Sequence, residues 1–335
     1  MVIYGAGSIG STIGGWMTPK YSNIYLIARG EHAKAMKVHG LSLCGSRTSK
    51  PETVAVNLVN DLKEVSNAKV VVLTVKTYDL IEAANDISSK LGDDVVVVAL
   101  QNGVDNQRVL PDYFSKVIYG IVGYSGMVLK PGFVIYQSKG PIYLGTIGNK
   151  LQNQIEEICQ TFNLGFETEI TRRFQDTVHS KIVLNLTNAL FTLVGLNYQR
   201  VTSYDKLATL ASHLVNEGIH IVQKAGYKEY PMKNYPTWRT LRLGLKLPSF
   251  FRTRVLKETM KHMITNSMGQ DVLQRKKKTT ELDAFNGYIV ALANSIGINA
   301  PYNNTLHKMC KEKFRRSNFK PLAVDDVWDS FNPIR

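Results

Sequence analysis

Cysteine is scarce in this 335-residue chain, with three residues, Cys44, Cys159 and Cys310, far apart in sequence. An odd, scattered set supports neither a disulfide framework nor a zinc site and suits a reducing compartment. Long apolar runs are missing as well. The nearest approach, residues 182–196, is broken by Asn185, Thr187, Asn188 and Thr192 and falls short of the ~20 residues a membrane helix needs. The chain opens directly on Val2-Ile3-Tyr4-Gly5 with neither a basic leader nor an apolar signal region, so a cytoplasmic location without membrane association is expected. Internal repeats and low-complexity tracts are absent. Acidic residues are in short supply: 41 Lys and Arg face 27 Asp and Glu, a formal net charge of +14. Between residues 231 and 320 stand 18 basic residues against 5 acidic ones, so the excess is concentrated in the last third. Such asymmetry suits nucleic acid, a membrane surface, an anionic small molecule or simply a solvated helical surface.

What is present is the composition of a globular protein, 44% hydrophobic and 20% charged, in a length that allows two domains. Short β-rich runs at residues 1–4, 23–28, 70–75, 95–100, 117–122 and 133–137 alternate with helical or turn segments. The runs VVVLTV and VVVVAL are apolar throughout, as strands covered on both faces must be, which predicts a parallel sheet in an α/β domain. After a Gly/Pro-rich stretch at 140–149 the strand signal fades. Helices are predicted at 153–162, 174–196, 206–225, 251–263 and 278–296. The expected fold is therefore an N-terminal Rossmann-type dinucleotide-binding domain, residues 1–165, followed by an all-helical domain, residues 166–335.

Gly5-Ala6-Gly7-Ser8-Ile9-Gly10 fits G-x-G-x-x-G between a β run and a segment able to open a helix. In such a turn Gly5 permits the reversal, Gly7 lets backbone approach a pyrophosphate, Gly10 allows close helix–strand packing, and the helix N-terminus attracts the anion. An NAD-preferring domain carries an acid at the end of the second strand. Here the run ends in Arg29, whose guanidinium suits a 2′-phosphate and favours NADP(H), with Glu31 as the alternative ribose ligand. Lys76-Thr77 and Gln101-Asn102-Gly103 fall just past apolar strands, at the rim where open α/β sheets bind ligands.

The segment His179-Ser180-Lys181-Ile182-Val183-Leu184-Asn185 continues through Asn188 to Thr192. At helical spacing Lys181, Asn185, Asn188 and Thr192 form one polar stripe on an otherwise apolar surface. A buried helix with such a stripe faces something polar, and a lysine there is suited to acid–base work. Farther on come Asn266-Ser267-Met268-Gly269-Gln270-Asp271, the basic run Arg275-Lys276-Lys277-Lys278, and Thr279-Thr280-Glu281-Leu282-Asp283. The hydroxyl of Ser267 suits a carboxylate, and Glu281 suits a lysine or a cofactor hydroxyl.

Taken in order, GAGSIG, ARG, VKTYD, QNGVDN, HSKIVLN, NSMGQD and TELDAFNGYIVALANSIGINAPYN closely resemble the ketopantoate reductase (2-dehydropantoate 2-reductase) family. The resemblance spans roughly residues 1–315. It implies NADPH-dependent reduction of a 2-keto acid, most simply 2-dehydropantoate to pantoate in pantothenate biosynthesis. It places the catalytic lysine on Lys181 and substrate contacts on Asn185, Asn188, Ser267 and Asn102. The implied cofactor set is Gly5, Ala6, Gly7, Ser8, Ile9, Gly10, Arg29, Lys76, Asn102, Gly126 and Glu281. No metal and no nucleic-acid partner is expected, and a homodimer is left open. Residues 230–254, rich in basic and aromatic side chains, match no family motif. Two alternatives share these residues: another 2-keto acid or opine-type dehydrogenase on the same scaffold, and a nucleotide-sensing protein without turnover.

Overall fold

A computed structural model describes residues 1–45, 50–262, 266–316 and 318–334. The chain divides into two units, Met1–Phe174 and Gln175–Arg335.

The first unit begins with β1 (Val2–Tyr4), α1 (Ser8–Met17), β2 (Tyr25–Ile27) and α2 (Gly30–His39). Then follow β3 (Leu41–Cys44), β4 (Glu52–Val54), β5 (Asn57–Val59), β6 (Val70–Leu73), α3 (Leu80–Leu91), β7 (Val96–Ala99) and α4 (Asp105–Val109). The unit closes with β8 (Val117–Val122), β9 (Gly126–Lys130), β10 (Phe133–Tyr136), β11 (Ile142–Gly145), α5 (Gln152–Asn163) and β12 (Thr168–Ile170). Its main sheet has the order β12-β11-β8-β7-β6-β1-β2-β5. The strands from β8 to β5 are parallel and follow the doubly wound order in which the winding reverses beside β1, the position where such sheets bind ligands. The β-branched residues of β6 and β7 suit strands buried on both faces. A second sheet, β4-β3-β10-β9, lies on the other side of α1, which packs on β1 and β2 with one side and on β3, β9 and β10 with the other. Trp16 of α1 fills that layer against the rings of Tyr124, Tyr136 and Phe166.

The expected α/β architecture is present, with additions the sequence reading lacks. β4, β5 and β9 are short and partly exposed, and β3, though mostly buried, is only four residues long, so their apolar signal is weak. β11 lies inside the Gly/Pro-rich stretch, which therefore contains a strand, antiparallel to β8 and buried along its length. β12 pairs parallel with β11 although two of its three residues are exposed. That pairing carries the first unit past the division expected after residue 165, to Phe174.

Among the described residues the second unit is helical: α6 (Phe174–Asn185), α7 (Thr187–Leu193), α8 (Tyr204–Lys224), α9 (Trp238–Leu243), α10 (Ser249–His262), α11 (Ser267–Gly269), α12 (Tyr288–Ser295), α13 (Pro301–Phe314) and α14 (Val324–Asp329). The long α8, capped by Ser203, is the hub against which α7, α9, α10, α12, α13 and α14 pack. The helix predicted over 174–196 is two helices, because the ladder is interrupted at Leu186. There the Leu186 N–H donates to the Val183 carbonyl, three positions back, at 3.3 Å, and the Leu186 carbonyl accepts from Asn286 Nδ2 at 3.1 Å. Asn286 also donates to Asn303 Oδ1 at 2.9 Å, and Asn303 Nδ2 donates to Glu217 Oε1 at 2.8 Å. Glu217 accepts from the backbone N–H groups of Tyr302 and Asn303, so a carboxylate of α8 closes the N-terminus of α13. The helix predicted from residue 278 starts later, as a π-helical turn at Asp283–Gly287 leading into α12, and Met263, predicted to end α10, lies outside the described residues. α9, α11, α13 and α14 are additions.

His179 is nearly sealed within this unit, stacked on Tyr227 with ring centroids 3.5 Å apart. Its Nδ1 faces the Gln175 carbonyl at 2.6 Å, an acceptor, so Nδ1 carries the proton and Nε2 accepts from the Tyr288 hydroxyl at 2.6 Å. Burial pulls its pKa from 6.5 down to about 4. As pH falls, the unfolded chain takes up this proton first. The stability that neutral His179 contributes is therefore intact above about pH 6.5 and declines by about 3 kcal/mol on the way to about pH 4. Urea unfolding of wild type and His179→Gln at several pH values is expected to show that relative loss. Parallel pH dependences of the two proteins would contradict it, and the shared contribution of Glu217, whose pKa burial raises, cancels in the comparison.

Candidate active site

The glycine turn joins β1 to α1 at the reversal point of the main sheet. Gly5 has φ +100°, and a Cβ there would lie 2.8 Å from Val75 Cγ1 and 3.1 Å from the Val75 nitrogen. At Gly10 a Cβ would come within 2.6 Å of both the Gly5 carbonyl oxygen and Thr74 Oγ1. Gly7 is different: it is exposed, and the nearest atom to an added Cβ is 4.0 Å away. Two positions are thus closed by the fold and the middle one is open, as close approach by a pyrophosphate demands. Ala6 and Gly10 are buried, Ser8 and Ile9 half-buried. Gly7 caps α1 without a side-chain hydrogen bond, and the first turn of α1 holds no acid, which suits an anion at that helix end.

The neighbouring strand ends converge on this turn. The Ala6 N–H donates to the Ile27 carbonyl of β2 at 2.8 Å, and two residues on, exposed Arg29 caps α2. Glu31, the alternative ribose ligand, is bonded to Lys34 at 2.8 Å. Thr74 Oγ1 donates to the Gly5 carbonyl at 2.8 Å and so supports the turn from β6. Lys76, half-buried, heads the short turn after β6, where Thr77 Oγ1 donates to the Asn102 carbonyl at 3.4 Å. Gln101 Nε2 donates to the carbonyls of Leu73, at 2.8 Å, and Val75, at 3.2 Å. Gly126, which starts β9, is placed so that a Cβ would be 3.6 Å from Ser8 Cβ. The fold thereby gathers Gly5–Gly10, Lys76, Asn102 and Gly126 at one rim of the first unit, with Arg29 at the adjacent strand end.

In the second unit the polar stripe survives the break at Leu186, because that residue keeps helical angles, φ −60° and ψ −27°. Lys181 is 8% exposed, and its Nζ donates to the Tyr235 hydroxyl at 2.8 Å. Asn188 Nδ2 donates to Asn185 Oδ1 at 3.4 Å, and the single hydrogen of the buried Thr192 hydroxyl goes to the Asn188 carbonyl at 2.8 Å, with Asn266 Oδ1 sharing it at 3.3 Å. Asn266 caps α11, which begins at Ser267, and Ser267 Oγ donates to Glu281 Oε2 at 3.4 Å. Glu281 is 4% exposed. One connected polar track therefore runs from Asn185 through Asn188, Thr192 and Asn266 to Ser267 and Glu281, with Lys181 one helical turn before Asn185. π-helical turns follow both Ser267 and Glu281, at Gln270–Gln274 and Asp283–Gly287, a backbone form concentrated at functional sites. The basic run 275–278 is exposed, as expected of a solvated surface. Glu281, assigned to the cofactor set by resemblance, belongs to this second track. Sequence reasoning missed Thr74, Asn266 and Tyr235 as contributors. Thr74 had a signal, a hydroxyl at the end of an apolar run; Tyr235 had none.

Among the described residues no group of His, Cys, Asp and Glu is arranged to hold a metal ion, and no helix is long and apolar enough to cross a membrane. The profile of ketopantoate reductase PanE/ApbA matches residues 1–149, and that of ketopantoate reductase PanE/ApbA C terminal matches residues 173–314. The 2-dehydropantoate 2-reductase of Pyrococcus horikoshii is 28% identical over 313 residues, 93% of this chain and 96% of that protein. The one from Archaeoglobus fulgidus is 26% identical over 306 residues, 91% and 94% of the two chains. A PanE/ApbA family ketopantoate reductase structure from Ralstonia eutropha is similar with TM-score 0.71 and 24% identity, over 94% of this chain and 100% of that one. D-mandelate dehydrogenase, in a ternary structure with NADH and anilino(oxo)acetate, is similar with TM-score 0.74 and 20% identity, over 95% and 100%. These structural likenesses speak for the fold.

The crowding at Gly10 leads to a direct expectation. Gly10→Ala forces a methyl against a backbone carbonyl, so affinity for an adenine dinucleotide should fall at least about tenfold in a fluorescence titration, with a lowered melting temperature. Unchanged affinity would remove the turn from the binding site.

Proposed function

Since the chain belongs to the ketopantoate reductase family, we propose that it is an oxidoreductase that uses NADPH to reduce a 2-keto acid, with 2-dehydropantoate, giving pantoate, as the substrate. The observation that carries this reading is Lys181, withdrawn from water at the head of the Asn185–Glu281 polar track.

The first unit fits the dinucleotide on its own geometry: a turn closed at Gly5 and Gly10, open at Gly7, and continued by an uncapped helix end. Gly5–Gly10 and Gly126 would hold the pyrophosphate region, Arg29 the 2′-phosphate, Lys76 and Asn102 the nicotinamide side, and Glu281 a cofactor hydroxyl. Arg29 is favoured over Glu31 because Glu31 already has Lys34 as its partner. When bound, NADPH supplies the hydride. Lys181 supplies the proton to the substrate oxygen as it gains charge and stabilises that charge beforehand, a general-acid role typically worth ~10²–10⁴ in rate. Asn185 and Asn188 orient the same oxygen, Asn102 assists beside the nicotinamide, and Ser267 donates to the substrate carboxylate. Hydride on carbon and proton on oxygen complete the alcohol.

NADPH oxidation, followed by absorbance, tests the substrate when 2-dehydropantoate is compared with pyruvate, 2-ketoisovalerate, oxaloacetate and benzoylformate. The first should give the highest kcat/KM, and a preference for benzoylformate would move the assignment to an aryl keto acid. Lys181→Ala should lower kcat by at least about 10²-fold with little change in the KM for NADPH; near-normal turnover would refute the role. Arg29→Ala should raise the KM for NADPH about tenfold while leaving NADH nearly unaffected, and equal losses for both cofactors would overturn the NADPH assignment.

A further inference from the structure

The segment between α8 and α9 is fastened to the helix that carries Lys181. Asp176 Oδ1 of α6 accepts from the Lys228 backbone N–H at 2.8 Å. One helical turn later, Ser180 Oγ accepts from the Tyr230 backbone N–H at 2.9 Å. Glu229 Oε1 accepts from the Trp238 N–H at 2.7 Å, and Thr237 caps α9, so the far end of the strap is closed as well. Met232 and Trp238 are buried anchors. Between them Asn234 takes the left-handed conformation, φ +66°, which directs the chain into Tyr235. The Tyr235 hydroxyl stands 2.8 Å from Lys181 Nζ, and its ring centroid 4.5 Å from the same nitrogen.

An ammonium on a four-carbon stem is a mobile point charge with three N–H donors. At Lys181 one donor is taken by the phenol oxygen, and the aromatic face covers part of the charge. We propose that Tyr235 is a positioning residue: it fixes the rotation and depth of the Lys181 ammonium so that the remaining N–H groups are aimed before the substrate arrives. The inference rests on the reading of Lys181 as proton donor, and it gives the 225–237 segment a task, to carry the phenol. Preorganised donors are worth most where charge develops, so the loss of this contact acts on turnover more than on ground-state affinity.

The test uses the full-length chain with Tyr235→Phe, Tyr235→Ala and Ser180→Ala, the last loosening the strap without touching Lys181. The first readout is independent of turnover: the rate at which an N-hydroxysuccinimide acetate ester acetylates Lys181, resolved by peptide mass spectrometry. It should rise about threefold in Tyr235→Phe and about tenfold in Tyr235→Ala, with Ser180→Ala changed in the same direction. Equal rates in wild type and all three variants overturn the proposal, whatever the enzyme turns over. The second readout is steady-state reduction of 2-dehydropantoate, where Tyr235→Phe should lose about tenfold in kcat with both KM values within about twofold. A kcat within twofold of wild type, or a loss confined to the KM for the keto acid, also overturns it. If wild type reduces no keto acid, the functional reading fails, and the acetylation rates still decide whether Tyr235 holds Lys181.

Discussion

A charged side chain taken out of water must be given a partner, or the fold loses several kcal/mol to its desolvation. In the second unit that demand is concentrated on Lys181. The helix around it is apolar on most sides, with Ile182, Val183 and Leu186 buried, and the phenol of Tyr235 meets the ammonium. Satisfying this one group draws in a good deal of structure. Tyr235 needs the left-handed turn at Asn234, the turn needs a strap, and the strap needs Asp176 and Ser180 on the same helix as the lysine. The apolar environment and the polar partner are therefore specified together, within one helix and the segment laid along it.

The two units prepare their chemistry by different means. In the first, the backbone shapes the proposed site: the turn is defined by positions where a methyl group cannot fit, and Thr74 braces it from the adjacent strand. In the second, side chains line the track: Asn188 bonds Asn185, Thr192 reaches Asn266, and Ser267, next in the chain to Asn266, bonds Glu281. A backbone site tolerates change at its non-glycine positions, whereas a side-chain track is sensitive at every link.

Legibility in the sequence follows the range of the interactions. β1, β6 and β7 were readable because burial on both faces leaves an uninterrupted β-branched run, and the glycine turn because its constraint is steric and local. The stripe from Lys181 to Thr192 was readable for the same reason, and it outlived the broken ladder at Leu186 because the angles there stay helical. β11 was hidden by the glycines and the proline that punctuate its ends, and β12 by its exposed residues; both owe their existence to partners distant in the chain. The Leu186 carbonyl, at the break, is met by Asn286, one hundred positions away. Tyr235 was invisible because nothing in its neighbourhood announces a lysine 54 positions earlier. The site roles of Asn102, Ser267 and Glu281 came from resemblance, and the structure adds which of them are neighbours.

The wide turn after Ser267 bears on chain length. There the Arg275 N–H reaches back to the Gln270 carbonyl at 3.0 Å, five positions rather than four, enclosing one residue more than a regular coil would. Deleting a single residue between those two would restore the ordinary pitch and leave the chain beyond Arg275 on nearly the same bearing, because the wider turn absorbs the surplus residue. Glu281, which meets the Ser267 hydroxyl from that chain, keeps its partner only while the turn closes. Along this stretch one residue more than the coil needs is hidden from the partners on either side of it.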